Sequence, residues 1–440
     1  MFYRKDAVSL AVLSLLASAG FAMADGTQVK TTGLSLNPAA ITADEAPAPR
    51  APLMWGLDKV GAAKPLDDIG LNIYGWLETG YTYNHRDNGT PIAGGTFTQE
   101  VGNHYAVNQL VVRFERQVDS KKWDVGGMVE LMYGTDANFT RSNGLLYENN
   151  NSASYGDANG AGGSDNRGEV PVFDITQAYV DVNVPVGNGL KFRAGKFVTF
   201  LSYETIDPRN NPFYSRSLLF SQVPATQTGL LAFYTINDQW QVAGGITRGW
   251  DQATEDNNGS VDTLGQVIWT PNKQWTAILN GTVGPEDSHD SSHYRVAIDP
   301  VVTWQATDKL KLGGEALYIY DGGAQGNVLS NGTGFSHAYG DVWGAALYAS
   351  YNINEYFTAN VRAEKLHQYL NDSLTGLGNQ NFYEITLGVT IVPLPKDPLG
   401  QNIIIRPEVR YDFSEDKAFS AGNNSYKDQL TFAADIILKF

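Results

Sequence analysis

The chain offers little for covalent chemistry. It has no cysteine among 440 residues, so a thiol nucleophile, a disulfide framework and a Cys-ligated metal are all excluded. Its six histidines are scattered. His85, His104, His289, His293 and His337 read as loop residues, and His367 falls near a strand end. "HDSSH" sets His289 and His293 four apart, a spacing that gathers metal ligands on a helix but not in a loop. The acidic stretch Asp251 to Asp262 lacks the ligand spacing of an EF-hand and reads as solvated charge. No G-x-S-x-G elbow is present, so a serine hydrolase has no recognisable nucleophile. No catalytic residue, cofactor or metal is expected.

What does recur is a charged pair at spacing two: Arg113 and Glu115, Arg362 and Glu364, then Arg406, Glu408 and Arg410. Residues two apart share one face of a strand, not of a helix. The opposite face is apolar each time. In "NIIIRPEVRYDFS", Ile403, Ile405, Pro407, Val409, Tyr411 and Phe413 oppose Ile404, Arg406, Glu408, Arg410 and Asp412. "EYFTANVRAEKL" and "KWDVGGMVELMYG" alternate in the same way. In "KFRAGKFVTF", Lys191 and Arg193 share a face while Lys196 takes the other, which the pattern leaves unexplained.

The elements that would carry these charges are strands of period two. They begin near residues 71, 105, 123, 172, 190, 228, 240, 262, 275, 294, 310, 339, 356, 382, 402 and 428. Sixteen is an even number, as a single-chain bacterial membrane barrel requires. The connections alternate in length. "DSK", "PVGNG", "ND", "PNKQ", "TDK", "NINE" and "PLPKDPLG" are the short set, and the others are mostly long and rich in Gly, Asn, Asp and Ser. Short turns on one side and long loops on the other mark an outer-membrane barrel. Trp123, Trp240, Trp269, Trp275, Trp304, Tyr351 and Tyr356 all flank short turns, where an interfacial girdle belongs. A soluble sandwich has no reason to keep that parity, and a propeller would show a blade-length repeat.

Three further features agree. Residues 1–24 read as a signal peptide: Arg4 and Lys5, an apolar core from Ala7 to Leu16, and an A-x-A site at Ala22 to Ala24. Losing Arg4, Lys5 and Asp6 removes a net +1, so the net charge of −16 becomes −17. Residues 25–69 read as an Ala/Pro-rich periplasmic linker with room for one short helix, and the barrel as residues 70–440. No later run of about 20 apolar residues exists, so a membrane-embedded chain must be a closed barrel. "LTFAADIILKF" alternates up to Phe440, as expected of a strand that closes the barrel on the first one.

The fold expectation is therefore an all-β, 16-stranded antiparallel transmembrane barrel with short periplasmic turns and long extracellular loops. A charge on its lipid face at mid-membrane would cost about 2–4 kcal/mol, which assigns the Arg/Glu face to the lumen. Sixteen strands enclose more space than side chains fill. The third long loop, about 204–227 and within "YETIDPRNNPFYSRSLLFSQVPATQTG", is rich in apolar residues: Phe213, Tyr214, Leu218, Leu219 and Phe220. A loop in water does not need them, so it is expected to fold inward. Glu204, Asp207, Arg209 and Arg216 should then sit at a constriction, with Arg113, Glu115, Arg362, Glu364, Arg406, Glu408 and Arg410 lining the pore.

At this loop the chain resembles the OmpL-like beta-barrel porins. The resemblance rests on "YGWLETG", "TQAYVDVNVPVGNGLKFRAGKF", "YETIDPRNNPFYSRSLLF" and Thr228-Gly229, and covers most of the chain after Gly70. It implies an outer-membrane porin and supplies no defined substrate and no catalytic residues. Phe440 also resembles the terminal signal read by the barrel-assembly machinery.

The functional expectation is a passive diffusion porin in the outer membrane of a Gram-negative bacterium. Small hydrophilic solutes and ions would pass, with weak cation preference drawn from the acidic net charge. Outer-membrane lipid is the expected surroundings, a homotrimer is expected by analogy, and no nucleic acid is a partner. The competing readings are a substrate-specific channel of the oligosaccharide type, a non-conducting adhesin or structural barrel, and a barrel lipase. A TonB-dependent transporter needs about 22 strands and a large plug, for which residues 25–69 are too few.

Overall fold

A computed structural model describes residues 50–85, 103–146, 171–287, 290–322, 329–330, 336–337, 341–369, 379–421 and 424–440. The expected signal peptide and most of the linker lie outside these residues.

Sixteen antiparallel strands form one closed barrel, each paired with its neighbours in sequence. We number them β1 (Leu71–Asn84), β2 (His104–Arg116), β3 (Asp124–Gly134), β4 (Val172–Val184), β5 (Leu190–Val198), β6 (Thr226–Thr235), β7 (Trp240–Trp250) and β8 (Asp262–Asn272). The second half comprises β9 (Trp275–Asp287), β10 (Asp290–Gln305), β11 (Leu310–Asp321), β12 (Asp341–Asn352), β13 (Phe357–Tyr369), β14 (Asn379–Ile391), β15 (Ile403–Ser414) and β16 (Asp428–Lys439). Every strand begins within four residues of where the alternation placed it. Among the described residues no helix is long and apolar enough to cross a membrane.

The chain end is a paired strand. β16 pairs with β15 on one side and β1 on the other, with Trp76 opposite Lys439. The Phe440 N–H donates to the Gly75 carbonyl at 2.9 Å, and the Gly75 N–H donates back at 2.8 Å. Closure leaves no edge whose backbone groups would lie unpaired in lipid.

The outward face is apolar and ringed. Trp123, Trp240, Trp269, Trp275, Tyr351 and Tyr356 are exposed beside the short turns. Trp240 stacks on Trp269 at 5.7 Å and Trp275 on Trp304 at 5.0 Å. Tyr81, Tyr83, Tyr105, Tyr133, Tyr294 and Tyr320 form a second exposed set toward the long loops. Two aromatic belts flank the lipid-facing band, as amphipathic rings prefer headgroup depth.

The inward face has two characters. On β8 to β13, Ile268, Ile278, Ala297, Val301, Leu317, Ile319, Val342, Ala346 and Leu366 join one buried apolar cluster. On β13 to β16 and β1 to β5 the buried inward residues include Glu78, Glu130, Asp181, Arg193, Arg362, Glu384, Arg406, Arg410 and Asp435. Strand β5 shows why Lys196 broke the pattern. Gly195 takes φ 137°, and Lys196, one residue on, is buried and donates to the Thr140 and Ile175 carbonyls and to Asp174.

Among the described residues before the barrel are two short helices, where the sequence suggested one: α1 (Pro52–Lys59) and α2 (Lys64–Ile69). Gly61, at φ 74°, follows the first, and a proline opens each, where its missing N–H costs nothing. Arg50, just before the first helix, pairs with Asp67 of the second at 2.8 Å.

Candidate functional site: loop 3 and the wall that holds it

The connection from β5 to β6, hereafter loop 3, is a buried element. Leu201, Phe213, Tyr214, Leu218 and Leu219 are each no more than 2% exposed. Two 3-10 turns, Pro208–Asn210 and Phe220–Gln222, shape it. Its apolar side joins the apolar wall. Leu201, Tyr203, Leu218, Leu219 and Val223 pack with the β8–β13 cluster, and Tyr203 stacks on Tyr348 of β12 at 4.1 Å.

Small wall residues make room for these knobs. A Cβ added at Gly80 would lie 2.5 Å from the Tyr214 ring. At Gly313 it would lie 2.7 Å from Tyr203, at Gly344 2.5 Å from Leu219, and at Gly388 3.0 Å from Phe213. Four glycines on four strands thus each face one large side chain of loop 3.

The loop's polar backbone is satisfied by the charged wall. Arg362 of β13 donates to Glu204 Oε1 at 2.8 Å and to the Ser215 carbonyl at 3.0 Å, while Glu384 braces it at 3.0 Å. Arg406 of β15 donates to the Pro208 and Asn211 carbonyls at 2.8 and 2.7 Å and is paired with Asp435 and Glu78. Arg410 donates to the Arg216 carbonyl at 2.7 Å and is held by Asp412. The acids do the converse. Glu364 accepts the Leu218 N–H at 2.9 Å, and Glu408 accepts those of Tyr214 and Ser215 at 2.9 and 3.2 Å. Within the loop, Glu204 accepts the Ser217 N–H, and Arg216 donates to the Thr205, Tyr214 and Ile206 carbonyls. A loop inside a barrel cannot leave such groups to bulk water, so the wall charges act as its partners.

The expected pore-lining set is therefore divided. Glu204, Asp207, Arg216, Arg362, Glu364, Arg406, Glu408 and Arg410 are all at most 7% exposed. They stand at the contact between loop and wall, where loop 3 covers them from the lumen. Arg113, Glu115 and Arg209 keep accessible surface toward the short-turn end. There Arg113 pairs with Glu130 and, at 3.2 Å, with Asp207; Arg209 also binds Asp207, and its guanidinium lies 4.0 Å over Trp76. Tyr74 donates to Glu115 at 2.5 Å.

The partners Glu78, Glu384 and Asp435 were not put in the pore-lining set from the sequence, and Asp412 was placed on the charged face without a role. The wall glycines gave no sequence signal, because a glycine in a strand does not name the side chain that meets it.

The histidines remain apart, with two corrections of place. His104 opens β2 and His293 lies within β10, so neither is a loop residue. His293 Nδ1 is 2.9 Å from Asp290, and Asp287 is within reach of both. His289 lies outside the described residues. In the acidic loop, Asp256 accepts from the Asn258 and Gly259 N–H groups, an ordinary turn.

A closed sixteen-strand barrel with a lipid-facing apolar band, a charged interior and an inward loop defines a porin of the bacterial outer membrane. Residues 70–440 match the family model described as putative beta-barrel porin-2, OmpL-like, and the chain belongs to that family. Known structures share the fold at low identity. Pseudomonas putida OprB is 12% identical with a TM-score of 0.54, covering 87% of this chain and 97% of its own. The outer-membrane channel DcaP of Acinetobacter baumannii is 13% identical with a TM-score of 0.50, covering 84% and 97%. In-vitro folded OmpT of Vibrio cholerae, solved in a trimer form, is 10% identical with a TM-score of 0.50, covering 84% and 99%. No curated protein matches the chain in sequence.

Proposed function

We propose that this porin is a passive channel for ions and small hydrophilic solutes, narrowed by loop 3. The observation that carries the reading is the seat of that loop: four buried glycine contacts and the Arg362, Arg406 and Arg410 clamps fix it inside the barrel. The burial of so much of the inward wall favours a narrow path and small permeants over bulky oligosaccharides. The trimeric form of a structural neighbour supports a homotrimer. Phe440 is proposed to engage the barrel-assembly machinery, and residues 1–24 to direct export.

The charges that keep water on the lumen side favour anions, against the expectation drawn from net charge. Arg113, Lys191, Arg209, Lys311 and Lys439 are half-buried inward cations near the short-turn end, and Glu115 is their half-buried acidic neighbour. Local charges at the narrowest hydrated region, not the total, set ion preference.

Planar-bilayer conductance of the refolded chain tests the channel. Discrete small steps are expected, enlarging when Phe213 to Ala225 is replaced by a short Gly/Ser link. Correctly folded protein that conducts in neither form overturns the reading.

A further inference from the structure

Two inward carboxylates stand out from the clamp because no cation answers them. Asp299 of β10 and Glu315 of β11 are 0% and 4% exposed. They are near neighbours on adjacent strands, since Val301 pairs with Glu315. No donor reaches Asp299 Oδ1 or either Glu315 oxygen in hydrogen-bond geometry, and the two carboxyls face each other. Their charged neighbours are each other and Glu204, all acidic. By contrast Glu204, Glu384 and Asp435 each lie against an arginine. Apolar residues surround the pair: Val301, Leu317, Ile278 and Ala297 all belong to the buried cluster. Two negative charges in such a place cost heavily unless something neutralises them.

Around the pair stand the N–H groups of Ser202 and Asn280, which donate to Asp299, and buried oxygens without partners. The Ser202 Oγ, Gln266 Oε1 and Tyr348 hydroxyl are buried, at 3%, 1% and 4% exposure, and unbonded. Ser202 is anchored at the site: its N–H donates to Asp299 Oδ2 at 2.7 Å, from a backbone held at φ 81°. Its hydroxyl and the Tyr203 amide face Glu315 without reaching hydrogen-bond geometry. Tyr348 has Glu204, Glu315, Glu364 and Arg362 as charged neighbours, so it lies between the pair and the clamp. Gln266 donates to Asn280, which donates to Asp299 Oδ2 at 3.0 Å, so Oδ1 is the Asp299 oxygen left without a donor.

We propose that Asp299 and Glu315, with Ser202 of loop 3, form a binding site for a hard divalent cation of the Ca2+ type. The donors are all oxygen, and two carboxylates balance one divalent charge. Three unbonded carboxylate oxygens and the Ser202 hydroxyl, completed by water, suit the all-oxygen and adaptable coordination of Ca2+; Mg2+ demands an octahedron. The ion would tie loop 3 to the β10–β11 wall. The site does not depend on whether the barrel conducts.

The test uses the refolded full chain in detergent, melted in EDTA and in a series of free Ca2+ concentrations. Wild type is expected to gain melting temperature with the logarithm of free Ca2+, because only the native state holds the site. Glu315→Gln should melt in EDTA no lower than wild type, since it removes a like-charge contact. It should bind Ca2+ about tenfold or more weakly, having lost a carboxylate ligand. Tb3+ luminescence excited through tyrosine should fall in the same variant, because Tyr203 and Tyr348 adjoin the site. Asp287→Asn/Asp290→Asn, at the β9–β10 tip, should change neither readout. A wild type indifferent to millimolar Ca2+ would show that the pair shares a proton and overturns the proposal. Equal Ca2+ shifts in wild type and Glu315→Gln overturn it as well.

Discussion

Arg362 of β13 and Glu204 of loop 3 meet at 2.8 Å with neither side chain exposed. This bond joins the wall to a loop 158 residues earlier in the chain. Around it Glu384 and Glu364 add a second and third carboxylate, at 3.0 and 3.5 Å. The arrangement is worth more as a specifier of loop position than as net stability, because burying a charge offsets much of its Coulomb gain.

Removing one partner is a different matter. Arg362→Met leaves three buried carboxylates without their common cation, which should destabilise the fold by about 3–5 kcal/mol. The melting temperature of the refolded barrel checks it. Arg362→Met/Glu204→Gln should recover part of the loss; a double variant no better than the single one refutes the pairing.

The wall glycines give a steric test. Gly80→Val drives a side chain into the Tyr214 ring, and Gly388→Val into Phe213. Overpacking of this kind costs about 1–3 kcal/mol. Single-channel records should show larger or noisier steps as loop 3 is pushed from its seat. Unchanged stability and conductance in both variants would place the loop elsewhere.

Asp251, one residue beyond β7, gives a pH dependence. Burial pushes its carboxyl up to about 7, against the pull of the Thr226 N–H and of Lys196. Raised in the folded chain, the group favours the protonated state. Its contribution is full below the unfolded value near 4 and is lost as pH rises through about 7. Melting between pH 4 and pH 8 should therefore show a decline that Asp251→Asn lacks. A variant that keeps the whole decline assigns it to another group.

Selectivity tests the hydrated end of the lumen. Reversal potentials across a salt gradient should indicate anion preference in the wild type. Arg209→Gln with Lys191→Gln should shift them toward cations, because both side chains keep water contact while the clamp arginines do not. A wild type that prefers cations returns the decision to the net charge of the chain.

The strand set was legible in the sequence because a membrane barrel writes its geometry locally. Alternation of lipid-facing Val409, Tyr411 and Phe413 with inward Glu408, Arg410 and Asp412 is imposed on each strand by its two solvents, one residue at a time. Turn parity and the tryptophans beside the turns follow from the same layering. The apolar content of loop 3 likewise announced that it needed cover.

What those charges hold was decided only by the tertiary structure. Arg406 looks the same in sequence whether it faces water or the Pro208 carbonyl almost two hundred residues away. Period-two alternation gives a side chain's face, not what lies against that face. The same gap hid the match of Gly80 with Tyr214, and the isolation of Asp299 and Glu315 from any cation. These are relations between distant segments, and closing the barrel around loop 3 is what brings them together.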